Sequence, residues 1–418
     1  MEKFCADISR LILIELAAGD WVRLRRVCKS LKDKADDLHV VRRIFVRAGG
    51  HPSEMFASDD PEFYKERIFS RLRFAYWLSD PNSKKLQLCE KGFEMPKDGR
   101  ASGFYRVHSF TFAGIPNHFI WEGLSGEKFV VNVRDRKIRS DDRFEGITLA
   151  TVAFQMEDGP RIARLFSNRV SLFVGVLNLD ISNAKESPVK QICQVNEIAA
   201  WAFHCDLVFA SDRRGRPRLF VHVPGRPILR LCPKTLKVRK KMEAAAQVRL
   251  HVWKYKLFLH QGNSLQSAET ELCFEGVQRP KSVRVGKRDY LVFEKEEKKA
   301  GVLGFEKSLP FSLGYYSVVG GRWGDHDYLL FWHLSPLERR KPCYIWRDDE
   351  TIKKFYLWEM VSPHLSFWTK YRSLIDCLFR CIPKIELVPL PDGIGFCLST
   401  HDQPVIGTYS RSASTNGV

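Results

Sequence analysis

The stretch DLVFASDRRGRPRLFVHVPGRPILRLCPKTLKVRKK, Asp206–Lys241, decides the fold of the larger part of this chain. Asp206–Ala210 and Arg218–Val223 are short runs of Leu, Val and Phe, residues that suit a half-buried pleated surface. Gly225-Arg-Pro supplies a turn before the third run, Ile228–Lys241. Within that run, Leu231-Cys-Pro-Lys-Thr-Leu-Lys-Val238 reads as strand, turn and strand. The whole stretch is therefore expected to fold as one small antiparallel sheet.

Runs of the same kind continue outward on both sides. Toward the N-terminus they are Phe119–Trp121, Phe129–Val133 and Leu172–Val176. Toward the C-terminus they are Leu250–Trp253, Leu257–His260, Tyr290–Glu294, Tyr328–His333, Cys343–Trp346, Phe355–Glu359 and Ile385–Leu390. Gly262-Asn-Ser, Gly320-Gly and Pro391-Asp-Gly punctuate the series. Many short strands with tight turns indicate a sandwich, a barrel or a propeller. Roughly 300 residues exceed one ordinary sandwich and fit six or seven ~40-residue propeller blades; an irregular multi-sheet β domain is the alternative. A repeated Gly-His…Trp-Asp signature is absent, and Tyr316-Ser-Val-Val-Gly-Gly321 supplies one kelch-like double glycine. Pro363–Cys381 has helix-compatible spacing and reads as an insertion that contacts a partner or covers a sheet edge.

Before residue 100 the period is helical. Ile8, Leu11, Ile12 and Leu16 form one apolar stripe, and Trp21, Leu24, Val27, Cys28 and Leu31 form a second. Gly19-Asp20 separates them, with Asp20 placed to cap the second helix. A third run spans Leu38–Val46. Gly49, Gly50 and Pro52 mark a break, and Asp59, Asp60 and Pro61 open a further helix that ends near Asp80-Pro81-Asn82. The expected class is α+β. A helical module spans 1–46, a linker with a helix 47–100, the β domain 101–409 and a flexible tail 410–418.

Composition bounds the function. Of the 418 residues, 44% are hydrophobic and 28% charged, ordinary for a globular protein, and 29 Phe, 12 Tyr and 10 Trp supply ample apolar surface. The net charge of +18 favours nucleic acid, anionic lipid or acidic proteins without choosing among them. Eleven cysteines with no C-x-x-C pair, no signal peptide and no apolar window long enough for a membrane span point to a reduced cytoplasmic or nuclear protein.

The N-terminus resembles an F-box. That family runs Leu-Pro-x-Glu-Leu-Leu, Ile-Leu, Leu, Asp-Leu and then Val-Cys-Lys-x-Trp. This chain supplies Phe4-Cys5-Ala6-Asp7-Ile8, Ile12-Leu13, Leu16, Asp20-Trp21, Leu24 and Val27-Cys28-Lys29-Ser30-Leu31 without a gap. Pro is absent after Phe4, and Leu31 stands in place of the closing Trp, changes expected to weaken docking without abolishing it. The resemblance implies a non-catalytic substrate receptor. It would bind a Skp-type adaptor, through it a cullin–RING ubiquitin ligase, and a protein substrate on the β domain. Phe4, Ile8, Leu11, Ile12, Leu16, Trp21, Leu24, Val27, Cys28 and Leu31 then include the adaptor-facing residues, some of which must form the module's own core. An adaptor-binding scaffold or decoy has the same sequence signature.

A second candidate site is basic. Eleven Arg or Lys and no acidic residue occupy Arg213–Lys241. Arg213, Arg214, Arg216, Arg218, Arg226, Arg230, Lys237 and Arg239 are candidates for an acidic substrate or an anion, against the alternative of a solvated rim. Nucleic-acid binding by this stretch is the alternative function. Neither Cys377 with Cys381 nor Asp325-His326-Asp327 completes a metal set, and the latter reads as a polar turn. The chain contains no G-x-S-x-G, P-loop or H-E-x-x-H sequence, so no catalytic residue, metal or cofactor is assigned.

Overall fold

A computed structural model describes residues 2–50, 52–81, 87–90, 109–112, 118–122, 128–133, 137–140, 147–156, 159–168, 170–179, 188–194, 205–212, 214–245, 247–286, 288–295, 298–333, 341–357, 385–390, 393–398 and 405–410. Five α-helices come first: α1 Glu2–Ile14, α2 Ala18–Leu24, α3 Lys29–Ala35, α4 Leu38–Arg47 and α5 Pro61–Ser79. The last of these starts as its sequence dictates. Asp60 accepts from the Glu62 N–H at 2.9 Å, and Pro61 occupies the first turn, where its missing N–H costs nothing.

Among the described residues the remaining elements are antiparallel strands and two short 3-10 turns, Pro52–Phe56 and Leu313–Tyr315. Strand β1 (Gln87–Glu90) comes first, and β2 Ser109–Phe112, β3 His118–Glu122, β4 Lys128–Asn132 and β5 Lys137–Ser140 form a sheet in chain order. The next sheet is β6 Ile147–Met156, β7 Gly159–Ser167, β8 Ser171–Asn178 and β9 Val189–Gln194. It is followed by β10 Asp206–Ser211, β11 Pro217–His222, β12 Ile228–Leu231 and β13 Val238–Met242. Strands β14 Arg249–Trp253, β15 Lys256–Gln261, β16 Ser264–Ser267 and β17 Cys273–Glu275 make another, then β18 Gln278–Val285, β19 Arg288–Glu294 and β20 Ala300–Val302. The chain continues through β21 Tyr316–Trp323, β22 His326–His333, β23 Cys343–Arg347 and β24 Ile352–Phe355. The last sheet breaks the order: β25 Ile385–Leu390, β26 Gly393–Leu398 and β27 Val405–Ser410 are completed by β1, which pairs with β27.

The chain separates into two compact units, Met1–Pro96 with Val318–Val418, and Lys97–Ser317. In the second unit each sheet packs against the next through apolar faces. Val130 meets Ala153 and Ile162, Phe154 stacks on Phe209 at 4.3 Å, Phe220 meets Val248 and Leu250, and Trp253 meets Leu291 and Leu303. Each such side chain removed from water is worth roughly 1.5–3 kcal/mol before entropy is counted. In the first unit the Trp323 indole N–H donates to the Leu390 carbonyl at 2.8 Å, tying the β21–β24 sheet to the β25–β27 sheet.

Several expectations need correction. The break between the first two helices falls at residues 15–17, and α2 already includes Gly19 and Asp20, so Asp20 lies in the first turn and is not the cap. The strand expected at Phe355–Glu359 lies earlier, at Ile352–Phe355. The long β6–β7 hairpin was not anticipated: β7 is buried on nearly every residue and so lacks the alternation that marks a one-sided strand. The helices share a compact unit with Val318–Val418. Residues 363–381 and 411–418 lie outside the described residues.

Candidate functional site

The helical module has a closed core. Leu13, Ala18, Trp21, Ala35, Val40, Val41, Ile44, Phe45, Tyr64 and Ile68 are buried together, with Leu16 and Leu24 half-buried against them. Trp21 is 0% exposed, and its indole N–H donates to the Ala35 carbonyl at 2.9 Å. The sequence grouped Trp21 with the partner-facing residues; the fold spends it on the core, where an aromatic body with one satisfied polar atom packs well. Leu31 is half-buried, and the helix around Phe4 is described without its side chain.

Other members of the predicted set face outward. On α1, Ile8, Leu11 and Ile12 occupy one face at helical spacing and are 42%, 62% and 61% exposed. Val27, 67% exposed, and the exposed Cys28 sit in the turn between α2 and α3. Arg10, Arg23, Arg26, Lys29, Lys32 and Lys34 of α1–α3 are exposed as well. Arg10 pairs with Asp37 and Arg23 with Asp20.

Other residues of the module are clasped to the β21–β24 sheet. Asp325, in the β21–β22 turn, accepts from the Ala18 N–H at 2.8 Å and the Gly19 N–H at 3.2 Å. It thereby caps α2, whose own Ala17 offers no side-chain acceptor. Arg322 donates from Nε to the Arg47 carbonyl at 3.1 Å and from Nη1 to buried Asp327 at 3.1 Å. Phe74 lies edge-on to Trp323 at 5.1 Å, and Trp77 edge-on to Phe355. Gly49, at φ +98°, passes so close that a Cβ there would lie 2.4 Å from the Arg322 carbonyl oxygen. The polar turn read in Asp325-His326-Asp327 is thus a structural clasp, with His326 Nδ1 2.7 Å from Asp348. Nothing in the sequence ties residue 325 to residue 18.

An ionic network braces α2, α3 and α5 from within. Asp36 accepts from Arg25 Nε at 2.5 Å and Nη2 at 3.0 Å, and from Lys65 Nζ at 3.2 Å. Lys65, although only 8% exposed, also pairs with Glu62. Burial works against charge on Asp36, but the bonds from Arg25 and Lys65 outweigh it and hold the carboxyl below its ordinary value. Burial likewise works against charge on Lys65; Glu62 and Asp36 reverse the effect and raise its pKa.

The basic run does not converge on one site. The turns at 212–216 and 232–237 lie at one end of the β10–β13 sheet, and the turn at 223–227, with Arg226, lies at the other. Arg214 and Lys237 are exposed at the first end. Arg216 and Arg218 pair with Asp212, the residue just before the acid-free stretch, and Arg218 also reaches Glu269. Burial opposes ionisation of Asp212, yet the Arg216 and Arg214 N–H groups and the Arg216 guanidinium hold its carboxyl down at about 2. Arg230 is half-buried opposite Lys240, and Arg213 lies outside the described residues. Arg239, Lys240 and Lys241 ride on β13, the outer strand of its sheet, where four consecutive residues are exposed. Charge on an outer strand is a standard defence against edge-to-edge association, which explains this part of the run without a ligand.

Among the described residues no group of three or more His, Cys, Asp or Glu is placed to hold a metal, and no helix is long and apolar enough to cross a membrane. Cys377 and Cys381 lie outside them. No family model matches this chain, and no curated protein matches it.

Proposed function

We propose that the chain is a non-catalytic receptor whose helical module docks a Skp-type adaptor of a cullin–RING ubiquitin ligase and whose β region recruits a protein substrate. The observation that carries this reading is the division of labour within the module. Its core is closed, part of the module is clasped to a sheet, and Ile8, Leu11, Ile12 and Val27 still stand in water. Exposed aliphatic residues on a helix face are expensive to leave uncovered, and each is worth roughly 1.5–3 kcal/mol on burial before association costs. These are residues that the gap-free F-box spacing marks as adaptor-facing or places beside such positions. The exposed cations of α1–α3 suit an apolar groove with an acidic rim. The β region serves this reading as a seven-bladed propeller. Among the described residues there are seven small up-and-down sheets, and β1 completes the sheet of the last three strands, which supports that reading.

The test is capture of a Skp-type adaptor by the full chain at moderate salt, comparing wild type with Leu11→Asp plus Ile12→Asp. Both positions are exposed, so the variant keeps the module's core. Wild-type capture that falls at least tenfold in the variant is the expected result. A wild type that captures no adaptor, with the adaptor active toward a control F-box, overturns the reading.

A further inference from the structure

In the unit Lys97–Ser317, strand β14 lies between β10 and β18, and all three begin at one end of their sheets. The starts of these strands line a cleft of about 600 Å³ that includes Asp206, Arg249, His251, His260, Gln278 and Arg279. A second cleft, of about 380 Å³, is lined by Lys281, Leu313 and Tyr315. Arg279 and Pro280 belong to both, so the two form one groove with a guanidinium at its middle. Volumes of this size suit a few residues of extended peptide.

Two features set the position of Arg279, a bulge whose residue is left-handed and a glycine that leaves room for its side chain. The β18–β19 register shifts between Gln278 and Lys281, a bulge of the kind that re-aims a side chain. Arg279 takes φ +47°, a left-handed conformation that a non-glycine residue adopts at a cost. Gly314 lies directly beneath, where a Cβ would come within 2.0 Å of Nη1. Glu294, 4% exposed, accepts from Arg279 Nη1 at 3.3 Å and from Ser312 Oγ at 2.9 Å, steadying one edge of the fork. The arginine side chain nevertheless stays 63% exposed to the groove.

We propose that this groove binds an acidic peptide segment, with an anionic side chain on Arg279 and its neighbours against Tyr315. Among the described residues, Arg249, Arg279 and Lys281 line the groove against one lining carboxylate, Asp206, which accepts from Arg249 and the Leu250 N–H, while Lys281 Nζ donates to the Tyr316 carbonyl at 2.6 Å. A planar fork held in place by Glu294 recognises carboxylate with little ordering cost. Burial, with His260 and Arg249 close by, pushes His251 down to about 3. Its Nδ1 faces Ser282 Oγ at 3.5 Å, so the hydrogen bonds to peptide backbone are left to the Gln278 amide. Tyr315, 64% exposed, supplies the apolar contact. Nucleic acid fits less well, because a strand-tracking groove needs a row of aromatic platforms, and among the described residues lining this one Tyr315 alone supplies such a ring.

The proposal rests on the receptor reading only in identifying the peptide as a substrate segment, and its test involves no adaptor. The full chain is presented with a random octapeptide library carrying Glu, Gln or Lys at a fixed central position, and with a single-stranded oligonucleotide. Wild type is expected to prefer Glu over Gln peptides at least tenfold. Arg279→Glu abolishes that preference, Arg279→Lys reduces it, and Tyr315→Ala weakens binding severalfold with an unchanged melting temperature. Arg239→Glu plus Lys240→Glu, on β13, changes it less than twofold. The adaptor variant Leu11→Asp plus Ile12→Asp binds peptide normally, so the two readings fail separately. No preference for Glu, a preference surviving Arg279→Glu in folded protein, or Arg279-dependent binding of the oligonucleotide in place of peptide each overturns the proposal.

Discussion

At the scale of single residues, the decisive ones are those that join parts of the chain distant in sequence. Asp325 caps α2 from the β21–β22 turn, doing for Ala18 and Gly19 what no residue of the helix's own leader does. Asp325→Ala would leave two helix-start N–H groups to water or to nothing, and should destabilise the first unit by about 1–2 kcal/mol, the usual cost of a lost cap. Asp325→Asn, which keeps an acceptor oxygen, should cost less. Chemical denaturation of the two variants checks the order, and equal stability with wild type would show that the clasp contributes nothing. Gly49 is constrained more tightly still. Gly49→Ala combines an unfavourable φ with a carbonyl at 2.4 Å, so it should be the more damaging change.

At the scale of elements, the helices were the most legible part, and the reason is physical. Amphipathic spacing and the Asp60–Pro61 start are local signals, and α4 and α5 fall within a residue or two of where those signals place them. Strand cores such as Asp206–Ala210 and Ile385–Leu390 were equally readable from short β-branched and aromatic runs. What could not be read was pairing at a distance: β1 with β27, Asp325 with α2, and the division of the basic run between two ends of one sheet. The candidate site was legible as a set and not as a surface, since the same stripe spacing serves Trp21 in the core and Leu11 in water. The Arg25–Asp36–Lys65 network gives these elements a pH signature. Asp36 is depressed in the folded state, so its contribution is present above its unfolded value near 3.8 and is lost as pH falls through the folded value. Lys65 is raised, so its contribution is complete below 10.5 and is lost as pH rises through the folded value. Asp36→Asn should therefore be less stable than wild type by about 1.5–3 kcal/mol near neutrality. The gap should close in acid. Denaturation midpoints across pH 2–7 measure it, and a gap independent of pH would mean that the network's charge is irrelevant.

At the scale of the whole molecule, the chain returns to its beginning. Residues after Val318 complete the unit that the helices began, and β27 takes β1 as its neighbour. Part of the helical module's apolar surface is matched to the sheet. Phe74 and Trp77 of α5 are buried against Trp323 and Phe355, and the Gly49 approach is to Arg322. Removing the sheet exposes two large aromatic residues and uncaps α2 in a piece of only about 80 residues, a size at which stability is marginal to begin with. A fragment ending at Pro81 is therefore expected to show helical content without the cooperative thermal transition of the full chain. Its α5 amides should exchange orders of magnitude faster than in the intact protein, because local opening no longer breaks tertiary packing. Equal protection of α4 and α5 in fragment and full chain would reverse the conclusion: the module would be an autonomous domain, and the Asp325 and Arg322 contacts would serve only to orient it.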